Sequence, residues 1–434
     1  MAFLKGVLVP HRKNTANKPA VKITTPNTIT LPTAMHIGAP AKPIVKAGDE
    51  VKIGTLVAEQ VGYVSSPVYS SVSGVVKKID EILLSNGNKV SAIIIESDGK
   101  MEIDENIKPC VINSREDLIE AIKLSGIVGL GGAGFPTYVK YNVEDTNAIK
   151  DLVINGAECE PYITSDSLIM TSEKENILYA INELDKYFSF ERIVIGIEKN
   201  KPEAIKSMKG IAEKNNKIQV KVLPSKYPQG GEKVLVYHTT GKVIGEGKLP
   251  LDVGCVVSNS TTIACIGKYL KTGMPLVEKC VTVDGSAVKN PQNVIAPIGT
   301  SLKDVFDFCG GFIEEPTKVI YGGPMMGVSV PTLDLPIMKN TNAILALKGK
   351  DGIVKKPSAC IHCGACAAHC PFKLNPPLIA KARKNKDYEA LEKLNVNQCM
   401  ECGCCAFVCP ANRPIVQNNK LAKQELRAAK EANK

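Results

Sequence analysis

The 434-residue sequence contains no tryptophan, and aromatic residues make up only 5 % of it. Surfaces that stack successive bases are built from aromatic side chains, so a nucleic-acid partner is not expected. No run of 18 apolar residues occurs, so no segment reads as a bilayer-spanning helix. The opening stretch MAFLKGVLVPHRKN is interrupted by Pro10 and a basic segment, too short for the apolar core of a secretory signal. Hydrophobic residues at 44 % and charged residues at 23 % are ordinary for a globular chain long enough to hold several domains.

Cysteine, by contrast, is abundant, and eight of the fifteen lie in two runs of one pattern. The first is Cys360-Ile-His-Cys363-Gly-Ala-Cys366-Ala-Ala-His-Cys370-Pro371, the second Cys399-Met-Glu-Cys402-Gly-Cys404-Cys405-Ala-Phe-Val-Cys409-Pro410. Both fit C-x2-C-x2-C-x3-C-P, which holds cubane clusters in two-cluster ferredoxins, the fourth Cys of each run serving the other cluster. One [4Fe–4S] cluster is therefore assigned Cys360, Cys363, Cys366 and Cys409, and the other Cys399, Cys402, Cys405 and Cys370. Zinc sites use four ligands, usually as two pairs, and fit two complete eight-thiol runs poorly. Cys404 falls outside the pattern and reads as a spare thiol; Cys110, Cys255, Cys265, Cys280 and Cys309 lie singly in apolar stretches and read as core. Reduced thiolates place the chain in the cytosol or on the cytosolic face of a membrane. The formal charge of +10 falls to +6 once two 2+ cores and eight thiolates are counted, and the excess is dispersed apart from a basic C-terminal tail.

Upstream, the fold class is expected to be multidomain α/β and α+β. Short strands punctuated by Gly48, Gly54 and Gly74 mark a β-rich unit over residues 1–105. Its GDEVKIG and SPVYSSVSGVV segments resemble the biotinyl/lipoyl-type barrel-sandwich, yet the hairpin reads GYVSSPV, without a carrier lysine. A structural or docking role is expected. Residues 110–272 alternate helices and apolar strands: SREDLIEAIKLSG, with Ser114 as N-cap and Asp117 three residues on, then DLVIN, a helix over 172–188, ERIVIGIE, and KIQVKVL. Such alternation predicts a largely parallel, Rossmann-like sheet. Residues 273–335 return to strands around one helix, an order resembling the soluble-ligand-binding (SLBB-like) β-grasp domain, for which a scaffold role is expected. A linker over 335–357, a helical two-cluster ferredoxin-type domain over 350–412 and a solvated or partner-docking tail over 413–434 complete the expected organisation.

Between the first helix and DLVIN lies GIVGLGGAGFPTYVK, in which Gly129, Gly131 and Gly134 match G-x-G-x-x-G. A helix precedes it and Pro136 follows, unlike a dinucleotide fingerprint, and the pattern alone also describes a glycine-rich turn packed on a sheet. Glycines let backbone N–H groups approach a phosphate closely, and Lys140 supplies a cation. DLVIN then runs into Asn155-Gly-Ala-Glu158-Cys159-Glu160-Pro161, placing polar and acidic groups where α/β sheets bind ligands.

Together, GLGGAGFPTYVK, NGAECEPY, YPQGGEK and SNSTT resemble, in order, the flavin-binding motifs of the NADH-oxidising flavoprotein subunit of respiratory complex I. Leu130 and Ala157 depart from that pattern, standing where complex I has Arg and Asp. Over nearly its full length the chain resembles the C subunits of Rnf complexes, which exchange electrons between ferredoxin and NAD+. That resemblance implies noncovalent FMN, NAD(H) as substrate, two [4Fe–4S] clusters, and a peripheral seat on an ion-pumping membrane complex whose other subunits are partners. It also implies that Gly129, Gly131, Gly132, Gly134, Phe135, Lys140, Asn155, Glu158, Ser258 and Asn259 line the FMN, while Glu160 and Glu198 contact the nicotinamide nucleotide. No acid–base catalytic residue is implied. Soluble flavin/iron–sulfur reductases that feed cobalamin or amino-acid reductases share these modules and remain the alternative.

Overall fold

In the computed structural model, which describes residues 5–432, the alternating Val/Ile positions of the first unit fold into two small antiparallel sheets. Thr28–Pro32, Lys89–Ser97, Gly74–Leu83 and Glu50–Val51 form one, and Lys42–Pro43, Leu56–Glu59 and Val68–Tyr69 the other. Ile29, Leu31, Val57, Val76, Ile93 and Ile95 are fully buried between them.

The next unit is a four-stranded sheet, parallel throughout, in the order Ile218–Leu223, Arg192–Glu198, Asp151–Gly156, Cys255–Asn259. Helices Lys174–Phe188 and Ser260–Thr272 cover it with Ile177, Ile181, Leu184, Ile263 and Ile266, none more than 1 % exposed. The leading helix, Arg115–Leu124, starts at a complete capping box: the Ser114 hydroxyl accepts from Asp117 N, and the Asp117 carboxylate accepts from Ser114 N.

The β-grasp unit is a six-stranded sheet, ordered Val21–Lys22, Gln292–Pro297, Glu278–Asp284, Ala343–Leu347, Lys318–Tyr321, Val328–Ser329. Helix Leu302–Phe308 packs on it through Leu302, Val305 and Phe306. Ala343–Leu347 corrects the expected linker: all five of its residues are buried, and it is an interior strand, parallel to Glu278–Asp284 and antiparallel to Lys318–Tyr321. The tail, expected to be a solvated or partner-docking helix, is helical but packed. Residues Ile415–Ala432 form a helix whose Ala422 and Leu426 pack with Ile379 and Leu391 of helices Pro376–Lys384 and Tyr388–Lys393, so it belongs to the cysteine domain.

Residues 5–23, expected to open the barrel unit, instead form a strap across the parallel-sheet and β-grasp units. Val7 bridges Tyr227 antiparallel, Asn14 Nδ2 donates to Asp284, the hydroxyls of Thr15 and Thr164 share a hydrogen bond, and Val21 pairs with Val294.

One buried lysine fastens three units together. Lys339, 1 % exposed, donates from Nζ to Ser66 Oγ at 3.0 Å, to Gly126 O at 2.8 Å and to Pro67 O. Burial lowers its pKa to about 7. Lys339→Met would strand the Pro67 carbonyl without a donor, while Gly126 O keeps the Ser66 hydroxyl at 3.1 Å. At ~1–3 kcal/mol for a buried unmet acceptor, we expect a loss of about 2 kcal/mol, read as an earlier urea midpoint by far-UV circular dichroism; an unmoved midpoint would show that the junction contributes nothing.

Candidate flavin and cluster sites

Parallel sheets bind ligands beyond the carboxyl ends of their strands. Here Asn259 ends one strand and its register partner Asn155 is the last residue but one of the next, side by side. Asn259 caps helix Ser260–Thr272, its Oδ1 accepting from Thr261 N and Thr262 N, while its Nδ2 donates to Asp166 at 2.7 Å. Asn155 Nδ2 donates to Gly230 O and its Oδ1 accepts from Ala157 N. Both amides are thereby fixed.

The glycine loop folds over this edge. It closes on itself through Gly129 N to Phe135 O (2.8 Å) and Gly134 N to Gly129 O (3.0 Å), and is anchored by Leu130 N to Thr262 Oγ1 and Asn340 Nδ2 to Gly132 O. Glycine is required at two positions. Gly132 has φ +114°, and a Cβ on Gly131 would lie 3.0 Å from Asn259 Nδ2. Lys140, on the short helix Thr137–Tyr141 that follows, donates to Val257 O at 2.9 Å and lies 3.7 Å from Glu232.

Beneath the loop is a cavity of about 570 Å³, within the size range of cofactor pockets. Of the expected residues, Gly129, Gly131, Gly132, Lys140, Asn155, Glu158, Glu160 and Asn259 line it. Gly134 and Phe135 close the loop from behind. Ser258 is buried and shares a hydrogen bond with the Tyr141 hydroxyl. Glu198, 1 % exposed, does not line the cavity; its carboxylate turns into Lys201 at 3.0 Å, because a carboxylate that deeply buried needs a cationic partner.

The two remaining acids are held differently. Glu158 Oε1 accepts from Asp166 N at 2.8 Å, and its buried Oε2 has no protein partner. Burial pushes its pKa up to about 7 despite Lys13, and nearby Asp166 adds to the rise. Glu160 accepts from Met325 N (3.1 Å) and Met326 N (2.9 Å) of the β-grasp unit, and burial likewise raises it to about 7. A Cβ at Gly323 would collide with Glu160 Oε2, so the GGPMMG turn can close on this acid only with glycine there.

Sequence reasoning missed Asp166, which lines the cavity and fixes Asn259, Thr261 and Glu158 together. Its one signal is the Ser-Asp-Ser opening of helix Ser165–Ser172. Also missed was the wall contributed by the β-grasp turn 321–328, signalled by Gly322-Gly323.

The two cysteine runs share one backbone trace. Left-handed residues recur at matching places: His362 with Glu401, Gly364 with Gly403, Lys373 with Asn412. Cys370 of the first run lines one small cavity with Cys399, Cys402 and Cys405 of the second, and Asn419 Nδ2 donates to Cys399 Sγ. Burial raises Cys405 to about 12, and the neighbouring thiols Cys402, Cys399 and Cys370 push the same way. Cys366 faces Cys409 and Cys363, while Cys360 and Cys363 are exposed. Among the described residues no three His, Cys, Asp or Glu side chains converge on a single ion.

The second run docks on the parallel-sheet unit. Tyr227 Oη donates to Cys402 O at 2.7 Å, and Cys404, fully buried, packs with Val7, Val9 and Tyr227. Met400 lines both the thiol cavity and the larger one; a Cβ on Gly231 would collide with its Cε.

The residues fit a flavin phosphate and two cubane clusters. The loop presents glycines rather than side chains where a phosphate would approach, the cavity is large enough for a flavin, and the thiols stand in two sets.

Comparison with known proteins agrees. The RnfC Barrel sandwich hybrid domain matches residues 1–100, the Nuo51 FMN-binding domain 122–268, the SLBB domain 280–329 and the 4Fe-4S dicluster domain 352–410. The chain is 44 % identical over 428 residues to the C subunit of the proton-translocating ferredoxin:NAD(+) oxidoreductase complex of Clostridium ljungdahlii, covering 98 % of this chain and 93 % of that one. It is 43 % identical to the Na(+)-translocating counterpart of Acetobacterium woodii, covering 98 % and 97 %. An NAD+-reducing [NiFe]-hydrogenase structure shares the fold at TM-score 0.50 and 16 % identity, over 73 % of this chain and 63 % of that one. With four modules in this order and a full-length match, the chain belongs to the RnfC family, the C subunits of ion-translocating ferredoxin:NAD(+) oxidoreductase complexes.

Proposed function

We propose that this chain is the NAD(H)-facing electron-transfer subunit of such a complex, seated peripherally on the cytoplasmic face of the membrane beside its other subunits. No described helix is long and apolar enough to cross a membrane, so ion movement is the work of partner subunits. When bound, FMN would supply the conversion between hydride chemistry at the nicotinamide and single-electron transfer with [4Fe–4S] clusters.

The protein supplies the arrangement. Backbone N–H groups of Gly131 and Gly132, with Lys140, would hold the flavin phosphate, and Asn155 and Asn259 would orient the flavin; Glu158, expected at the flavin, lines the same cavity as Glu160, and both are assigned to the nicotinamide nucleotide. Glu198 supports that wall indirectly, since Lys201 donates both to it and to Glu158 O. The carrying observation is Met400, which lines both the cavity of the Cys370/Cys399/Cys402/Cys405 set and the flavin cavity. The Cys360/Cys363/Cys366/Cys409 set, with exposed Ile361 and Phe407 nearby, faces outward towards an electron-exchange partner.

Anaerobic purification should yield about eight iron, about eight sulfide and one flavin per chain, with NADH bleaching the flavin band. A colourless chain, or a flavin indifferent to NADH, would overturn the assignment.

A further inference from the structure

The acids assigned to the nicotinamide side belong to a loop whose own backbone hydrogen bonds are short-range, Glu158 N to Gly156 O and Cys159 N to Ala157 O. Residues 157–164 leave the sheet, and Tyr162 takes φ +71°, a left-handed conformation unfavourable for a tyrosine. Three carbonyls of this loop, those of Glu158, Glu160 and Ile163, turn inward to a common point, and at that point lies Lys13 of the N-terminal strap.

Lys13 Nζ donates to Glu158 O at 3.0 Å, to Glu160 O at 2.8 Å and to Ile163 O at 2.5 Å. An ammonium has three N–H groups, and all three are spent on one loop about 150 residues away. The neighbouring strap residues grip the same loop. Tyr162 N donates to His11 O at 2.9 Å, Arg12 donates to the Tyr162 hydroxyl at 2.7 Å, and Thr15 bonds Thr164. Lys201 makes a second contact to Glu158 O at 3.0 Å but reaches neither Glu160 nor Ile163. The loop's two acid side chains line the cavity on its other side.

From this geometry we infer that Lys13 is a positioning residue for the dinucleotide, curling the 158–163 backbone so that Glu158 and Glu160 stand at the cavity wall. The strap lies outside the flavin-domain match at 122–268, so the nucleotide side of the site is completed by a segment from the far end of the chain. The inference rests on the assignment of Glu158 and Glu160 to the nicotinamide nucleotide. Lys13 is placed to act on binding rather than on flavin retention, because it touches none of the loop 129–135.

The test uses the full chain loaded with flavin and clusters and an artificial electron acceptor. Lys13→Met should raise the KM for NADH about tenfold with kcat changed less than about twofold, leaving flavin and iron content and the visible spectrum unchanged. Lys13→Arg keeps the charge in a planar fork and should recover part of that loss. Lys18→Met cuts a strap contact elsewhere, to Pro291 O, and should leave KM unmoved. An unchanged KM in Lys13→Met, loss of its flavin or iron, or an equal rise in Lys18→Met would each overturn the inference. If NADH fails to bleach the flavin of the unsubstituted chain, the nucleotide assignment itself falls; normal bleaching there with an unmoved Lys13→Met confines the failure to Lys13.

Discussion

Cys402→Ser should give a chain whose flavin is still reduced by NADH but whose outward-facing cluster no longer is, that step slowing by about a hundredfold or more. Cys402 belongs to the thiol set beside the flavin cavity, and its carbonyl is the acceptor for Tyr227 Oη. The substitution keeps this backbone contact and removes one thiolate, so about four of the eight irons should be lost while the docking of the domain persists. Cys363→Ser offers the contrast. Its thiol is exposed and lies in the other set, so a similar loss of iron should leave the inner cluster reducible by NADH. Rapid-mixing absorbance separates flavin from cluster reduction, and low-temperature electron paramagnetic resonance identifies the surviving cluster. Identical behaviour of the two variants would mean that the inner and outer assignments are wrong.

Much of this was readable from residue types at fixed spacing. The cysteine runs carry their ligand logic in the sequence because a cube demands that spacing, and the glycine loop and the Ser114/Asp117 capping box are local in the same way. The failures are non-local. Nothing in His11-Arg12-Lys13 announces that its partners sit beyond residue 157, because an ammonium donating to carbonyls leaves no partner side chain to recognise. Ala343–Leu347 is five apolar residues between Asn342 and Lys348, too short for periodicity to distinguish an interior strand from a connector. The terminal helix hides a narrow buried stripe, Asn419, Ala422 and Leu426, among lysines and glutamates that remain in solvent. Glu198 was legible as a strand-end acid, but its partner Lys201, three residues on, decides that it points away from the cavity. Met400 is an unremarked residue between two cysteines until the docking of two domains gives it two cavities to line.

The second large effect is expected at Gly132, where the two penalties on a side chain can be separated. A Cβ there meets no protein atom within 4 Å, so the first atom of the Gly132→Val side chain stands in open space, at a residue that lines the cavity. The backbone stands at φ +114°, where a β-branched residue costs on the order of 1–2 kcal/mol and would pull the loop from its shape. The loop ends are held independently by the Gly129–Phe135 and Gly129–Gly134 hydrogen bonds and by Thr262, so the strain falls on the tip that would face a phosphate. Flavin affinity should therefore drop by about 10–100-fold, equivalent to ~1.4–2.8 kcal/mol, with iron content and far-UV circular dichroism unchanged. Gly131→Ala tests the other limit: its Cβ meets Asn259 Nδ2, which Asp166 holds at 2.7 Å and which has little freedom to yield. That variant should lose flavin through displacement of Asn259, and Asp166→Asn, which weakens the restraint, should soften its effect. Full flavin occupancy in Gly132→Val would place the phosphate away from this loop, and with it would go the assignment of the Gly131 and Gly132 amides and Lys140 as its cradle.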